Sequence, residues 1–116
     1  MKKDFSIYLQ DIIKSSASVA KYIKNKNRSD FDEDEQLQDA VIRRLEIIGE
    51  AIKRLPQEFR DQHLEIEWKK AAGMRDILIH MYDEVATEQV WLTVTNDIPF
   101  LRSQLEILLN KSKNNK

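Results

Sequence analysis

The sequence predicts an all-α protein, a compact bundle of four to five helices, and three observations carry that prediction. Apolar residues recur every three or four positions over long stretches, the period of a helix with one buried face. The alternation that a half-buried strand needs never persists beyond a few residues. Only two glycines and two prolines occur in 116 residues, too few for the turns of a β-rich chain.

Taken in order, Phe5, Leu9, Ile12, Ser16, Val19 and Ile23 step by three or four and predict a first helix over Asp4–Asn25. The polar stretch from Asn25 to Asp30 ends it, and Ser29 or Asp30 is placed to cap a short acidic helical turn. A second long helix is expected over Glu35–Leu55, with Leu37, Val41, Leu45, Ile48, Ile52 and Leu55 on one stripe. Ala40, Ile42, Ile47 and Ala51 widen that stripe well past a single core-facing strip. A helix so broadly apolar is either central to its own bundle or shares a face with another chain. Pro56 stops it, because proline disfavours helical geometry in the residue before it. A short helical turn over Gln57–Gln62 and the loop His63–Ile66 follow. A third helix is built on Trp68, Ala71, Ala72, Arg75, Leu78 and Ile79 and ends near His80–Tyr82. The last helix starts around Thr87 and carries Val90, Trp91, Val94, Ile98, Leu101, Leu105 and Leu108. Pro99 lies inside that pattern and is expected to kink the helix or loosen a turn by deleting a backbone hydrogen bond. Residues 1–110 then form one domain, and 111–116 a disordered basic tail.

Composition narrows the function classes. With 41% hydrophobic and 34% charged residues the chain is too apolar for disorder and too charged for a membrane protein. No apolar run approaches the ~18 residues that a membrane span needs, and the start of the chain lacks the apolar stretch of a signal peptide. The absence of cysteine excludes disulfides, thiolate metal sites and a cysteine nucleophile, and fits a reducing cytoplasm. With two histidines and no cysteine, neither a dedicated metal site nor a metal cofactor is expected. Nineteen basic against twenty acidic residues leave a net charge of −1. Bulk electrostatic binding of nucleic acid is disfavoured on that balance, so any contact with RNA has to be local and focused.

Most of the chain explains itself as core and solvated surface. The segment Ala71-Ala72-Gly73-Met74-Arg75-Asp76-Ile77-Leu78-Ile79-His80-Met81-Tyr82 does not. Gly73 costs a helix interior roughly 1 kcal/mol against alanine and suggests a close backbone approach. Arg75, Asp76, His80 and Tyr82 are polar groups set among apolar ones, and such groups must find partners or be exposed for a purpose. Arg75 and Tyr82, seven residues apart, share a helical face about 10 Å apart along the axis. Arg75 and His80, five apart, project ~140° from each other on an ideal helix. Either the helix unwinds near His80, or Arg75 swings round, or a two-fold axis brings two copies of the pair into one cleft. Structural readings stand beside these. His80 suits a helix C-terminus, Arg75 can pair with Asp76 or Glu50, and Tyr82 fits a half-buried core position. His63 reads as ordinary surface, Trp68 and Trp91 as core anchors, and Glu46 with Glu50 as a carboxylate pair one helical turn apart.

The string Arg75-x4-His80-x-Tyr82 resembles the R-x4-H-x-Y motif of the HepT-like family of HEPN ribonuclease toxins. The run Ala40–Ala51 resembles that family's long helix, and Trp68 ahead of Ala72–His80 and Val90-Trp91-x2-Val94-x3-Ile98-Pro99 fit it as well. The resemblance covers residues 4–109, and the linked set in this order is far more specific than the short motif alone. Two departures occur. Asp83-Glu84-Val85-Ala86 stands where the family often has an aromatic, a glycine and an aspartate cap, which moves the cap to Asp83 or Thr87. Asp76 stands where asparagine is common, so it can pair with Arg75, orient His80 or temper activity.

The resemblance implies the toxin of a type VII toxin–antitoxin system, a metal-independent endoribonuclease whose site forms at a homodimer interface. RNA carries its own nucleophile, the 2′-OH. His80 would take or give a proton, since imidazole titrates near neutral pH. Arg75 would hold the phosphate through paired hydrogen bonds and stabilise the extra charge of the transition state. Asp76 and Glu50 are the candidate supporting carboxylates. The implied partner is a nucleotidyltransferase of the minimal MNT type, which moves AMP from ATP onto Tyr82 and so blocks the cleft. The rival readings are a non-catalytic helical module that scaffolds the nucleotidyltransferase, and a substrate-binding subunit of a complex whose activity is nucleotidyl transfer.

Overall fold

The computed structural model describes residues 5–72 and 84–114, and every element among them is helical. They are α1 (Ser6–Ile23), α2 (Arg28–Glu33), α3 (Glu35–Arg54), α4 (Gln57–Asp61), α5 (Trp68–Ala72), α6 (Glu84–Leu92), a π-helical turn (Thr93–Asp97) and α7 (Ile98–Asn114). The all-α expectation holds among the described residues. α3 is the centre: α1 packs along it, α5 sits on it, and α7 packs on α1.

α3 forms where its stripe predicts. Leu37, Val41, Leu45, Ile48 and Ile52 are all buried, and Leu55 is buried at its C-cap. The Asp34 carboxylate accepts from the Leu37 amide at 3.0 Å and so satisfies one of the helix's open donors. Lys53 and Arg54 occupy the last turn, where the helix dipole favours positive charge, and Pro56 follows. Ala51 is buried, while Ala40, Ile42 and Ile47 are half-buried, so the chain's own bundle covers part of the widened face.

α1 buries Leu9, Ile12 and Val19 together with Ser15 and Ser16. The Ser16 hydroxyl donates to the Ile12 carbonyl at 2.7 Å, which removes the cost of burying it. The helix stops two residues short of the expected end. Asn25 takes φ 62°, the left-handed region that asparagine tolerates better than most residues, and the Lys26 amide folds back onto the Ile23 carbonyl at 3.0 Å.

The cap of α2 is Asn27, not Ser29 or Asp30. Its side-chain oxygen accepts from the Asp30 amide at 2.8 Å, and the Asp30 carboxylate accepts from the Asn27 amide at 3.0 Å. This reciprocal capping box uses aspartate three residues on, where glutamate or glutamine is the usual signal. Phe31 then points inward, 1% exposed, and meets Trp91 at a centroid distance of 5.5 Å.

Among the described residues the last helix is already formed at Glu84, ahead of the start expected around Thr87, and it is helical as far as Asn114, into the stretch expected to be tail. Of the two outcomes expected of Pro99, the structure shows the loosened turn. Proline offers no amide and its ring crowds the carbonyl four residues back, and the turn ahead of it widens into a π-helix, in which the Ile98 amide bonds to Thr93. The Thr95 hydroxyl donates to the Trp91 carbonyl at 2.8 Å within the loosened turn. Val94, Ile98, Leu101 and Leu105 remain buried through it.

Candidate functional site

Arg75, Asp76, His80 and Tyr82 lie outside the described residues; what the structure describes is the frame on either side of them. Glu50, the other candidate carboxylate, is exposed on α3, as is Glu46 one turn earlier, which meets Arg43 at 4.0 Å.

On the N-terminal side the frame is α5. α5 is described over Trp68–Ala72. Its position is set from outside. Trp68 opens it, 6% exposed, with the indole N–H shared between the carbonyls of His63 at 3.0 Å and Arg60 at 3.2 Å. Phe59 lies beside that indole at 6.4 Å, with Phe5 5.9 Å away on its other flank. Ile66 and Ala71 are buried. Two polar contacts tie this stretch to the C-terminal helices: Lys70 Nζ to Asp97 Oδ1 at 3.2 Å, and the Gln104 side-chain amide to the Glu65 carbonyl at 2.9 Å. Nothing local in the sequence signals either pair, because the partners are far apart along the chain.

His63 is not the plain surface residue its polar loop suggests. Its ring packs on Phe59 with centroids 4.7 Å apart, and Nδ1 faces Glu65 Oε2 at 3.7 Å. It belongs to the aromatic cluster that seats Trp68. Both tryptophans act as packing anchors: Trp68 is buried and Trp91 half-buried against Phe31.

On the C-terminal side the frame is α6. Val90 is buried, Trp91 meets Phe31, and Glu88 pairs with Arg28 Nη1 at 3.2 Å. The described residues ahead of Gly73 are thus fastened to α3 and the π turn, and those after Asp83 to α2. Among the described residues no three His, Cys, Asp or Glu side chains gather as a metal site. No described helix is long and apolar enough to cross a membrane. A cavity of about 350 Å³ opens between α1 and the π turn with α7, lined by Ser16, Ala20, Thr95, Pro99, Arg102 and Glu106. None of those residues is a candidate from the sequence.

Comparison with known proteins gives the frame a family. The Ribonuclease HepT-like family model matches residues 12–108. A Methanocaldococcus jannaschii protein named as a gamma-glutamylcyclotransferase and candidate RNase is 50% identical over the whole of this chain, which spans only 54% of that relative's length. A candidate RNase of Caldanaerobacter subterraneus subsp. tengcongensis is 42% identical, across 91% of this chain and 95% of its own. A Thermococcus cleftensis protein named "Probable ribonuclease HepT" is 43% identical, across 93% of this chain and 98% of its own. No solved structure matches the chain significantly. With a family model covering most of its residues and relatives of matching length at over 40% identity, this chain belongs to the HepT-like ribonuclease family.

Proposed function

We propose that the chain is an endoribonuclease, the toxin of a toxin–antitoxin pair, cleaving RNA with Arg75 and His80. The observation that carries this reading is the ordered set Arg75-x4-His80-x-Tyr82 inside a stretch, residues 12–108, that the Ribonuclease HepT-like family model matches. In the proposed reaction the RNA 2′-OH attacks the neighbouring phosphorus and the 5′-oxygen of the next nucleotide leaves. The products are a 2′,3′-cyclic phosphate and a 5′-hydroxyl. His80 takes the proton from the 2′-OH, and a second His80 across a homodimer interface gives one to the leaving oxygen. Arg75 spans the phosphate with two parallel hydrogen bonds. Asp76 and Glu50 serve as supporting carboxylates that orient these groups. No metal enters the scheme, because the attacking group comes with the substrate. The reaction belongs in the cytoplasm, where the RNA is.

Tyr82 is the proposed regulatory acceptor. A phenol keeps its proton at neutral pH and is a poor base, but it becomes a nucleophile when an MNT-type nucleotidyltransferase presents ATP with magnesium. The phenolate oxygen attacks the α-phosphorus and pyrophosphate leaves. The added AMP places an anionic phosphate where RNA phosphate would bind.

The experiment is RNA cleavage in excess EDTA by wild type, His80→Ala and Arg75→Ala. Wild type is expected to cleave, and His80→Ala to lose at least ~100-fold in rate. Activity that vanishes with chelator and returns with magnesium or manganese overturns the mechanism. A chain that never cleaves RNA but binds the nucleotidyltransferase supports the scaffold reading. Tyr82→Phe is expected to keep cleavage while failing to gain the ~329 Da of an AMP group, a mass fixed by AMP's composition, on incubation with the partner and ATP.

A further inference from the structure

We infer that the outward face running from the end of α6 along α7 is an interface at which two copies of this chain pair antiparallel. The pairing is read from described residues alone and does not depend on Arg75, His80 or Tyr82. A solvated helix face is mostly charged, as on α3, where Glu35, Asp39, Arg43, Glu46, Glu50 and Lys53 are all exposed. From Leu92 to Asn110 that pattern fails. Of the exposed residues there only Glu106 is charged, and it lines the cavity against α1 together with Arg102, its partner at 2.8 Å. Leu92, Phe100 and Ile107 are instead 49%, 58% and 55% exposed.

These three share one line. Phe100 and Ile107, seven residues apart, stand about 20° apart around the helix. Leu92 and Phe100 are eight apart, which in an unbroken α-helix would separate them by about 80°. The π turn between them carries one residue beyond the ladder and brings Leu92 to within about 20° of Phe100. Val94, Ile98, Leu101 and Leu105 keep to the opposite side, in the core. Leu64 joins the patch from the flank: it is 76% exposed and adjoins Glu65, whose carbonyl accepts from the Gln104 side chain. Large apolar side chains grouped clear of charge mark a contact surface.

The order along the line fits a second copy. Ser103 lies midway between Phe100 and Ile107. A copy laid antiparallel about a two-fold axis near Ser103 sets Phe100 on the partner's Ile107, and the same contact repeats on the other side of the axis. The Ser103 hydroxyl already donates to the Phe100 carbonyl at 2.8 Å, so closing the helices there strands no donor. The ends match as well. Asp97 lies beyond Phe100 and Lys111 beyond Ile107. Antiparallel pairing brings Asp97 within about one residue's rise of the partner's Lys111, and its carboxylate can accept from that ammonium while holding Lys70 at 3.2 Å. Parallel pairing would set like charge on like at both ends. A face matched to itself in apolar contacts and in charge is what an isologous pair requires.

The test uses the full chain at micromolar concentration. The chain has no cysteine, so Ser103→Cys supplies one thiol per copy, beside the axis and its own counterpart. Under mild oxidation it is expected to form a disulfide-linked dimer at least about tenfold faster than Asp39→Cys, a control on the charged face of α3. Phe100→Glu and Ile107→Glu are each expected to weaken association at least about tenfold and to cut the sedimenting mass by about half. Both should keep the wild-type helix signal in circular dichroism, because the side chains are exposed. If either loses helix, Ile107→Ser carries the same test without a new charge. A Ser103→Cys chain that cross-links no faster than Asp39→Cys, or an Ile107→Glu chain of unchanged mass, overturns the pairing; two copies then meet at another face and the ribonuclease reading stands. A wild-type chain that sediments as a monomer overturns the pairing and the shared His80 site together.

Discussion

α3 and α5 are held by different physics. α3 is long and buries a continuous apolar stripe from Leu37 to Leu55, each residue contributing a similar share. The described part of α5, Trp68–Ala72, buries Trp68 and Ala71 and is tied by single polar contacts to the loop before it and to the π turn, while α7 reaches that loop through Gln104 and Glu65. The first kind of fastening is redundant and announces itself as a repeating pattern. The second has few members, each with one partner. The helix held in the second way is the one next in sequence to the candidate residues Arg75 and His80.

The largest effect should come from breaking the stripe. Ile48→Ala removes a fully buried side chain from the middle of α3 and is expected to cost about 2–5 kcal/mol in chemical denaturation. A cost below 1 kcal/mol would mean that the stripe is less tightly packed than its burial implies. Next comes Trp68→Phe, which leaves two carbonyls without the indole N–H and is expected to cost about 1–2 kcal/mol. Ile48→Val, at about 0.5–1.5 kcal/mol, is its control. Cleavage should fall further in Trp68→Phe than in Ile48→Val at equal stability, and equal losses would erase the contrast between the two helices. Asn27→Ala, which opens the capping box of α2, is expected to cost about 1 kcal/mol. Smallest is Glu88→Gln. Its pair with Arg28 at 3.2 Å is half-exposed on both sides, so thermal melts should show a change within about 0.5 kcal/mol.

The same division explains what the sequence discloses. The α3 stripe, its stop before Pro56, and the anchoring tryptophans are legible because each depends on neighbours three, four or seven positions away. The Asn27 cap is local and could have been found. The signal is an asparagine followed three residues later by an aspartate, and it is passed over when only glutamate or glutamine is sought. The π turn is half legible: Pro99 marks a disturbance, but whether the helix bends or widens depends on what Thr95 and the surrounding core allow. The Lys70–Asp97 and Gln104–Glu65 contacts are not legible, since a charged residue on a surface helix carries no mark of which distant residue it will meet. His63 is illegible for a different reason: its partner Phe59 is one helical turn away, but in a segment too short to show a pattern. The candidate chemistry is legible as an ordered motif of side chains, while the distances among them are not, because spacing along the chain fixes geometry only where the backbone is regular.

The π turn also bears on how this chain tolerates change in length. A π-helical turn is an α-helix carrying one residue more than its ladder requires. Asn96, within it, is exposed, so replacing that side chain should be nearly free. Deleting it is another matter. Loss of one residue would turn Glu84–Leu92 by about 100° relative to Ile98–Asn114. Trp91 could then face Phe31, or Leu105 face the core, but not both. Proline at position 99 would still refuse the α-helical ladder that the shortened chain invites. Surplus length here is a structural specification, and a relative that lacks the residue should lack the proline too.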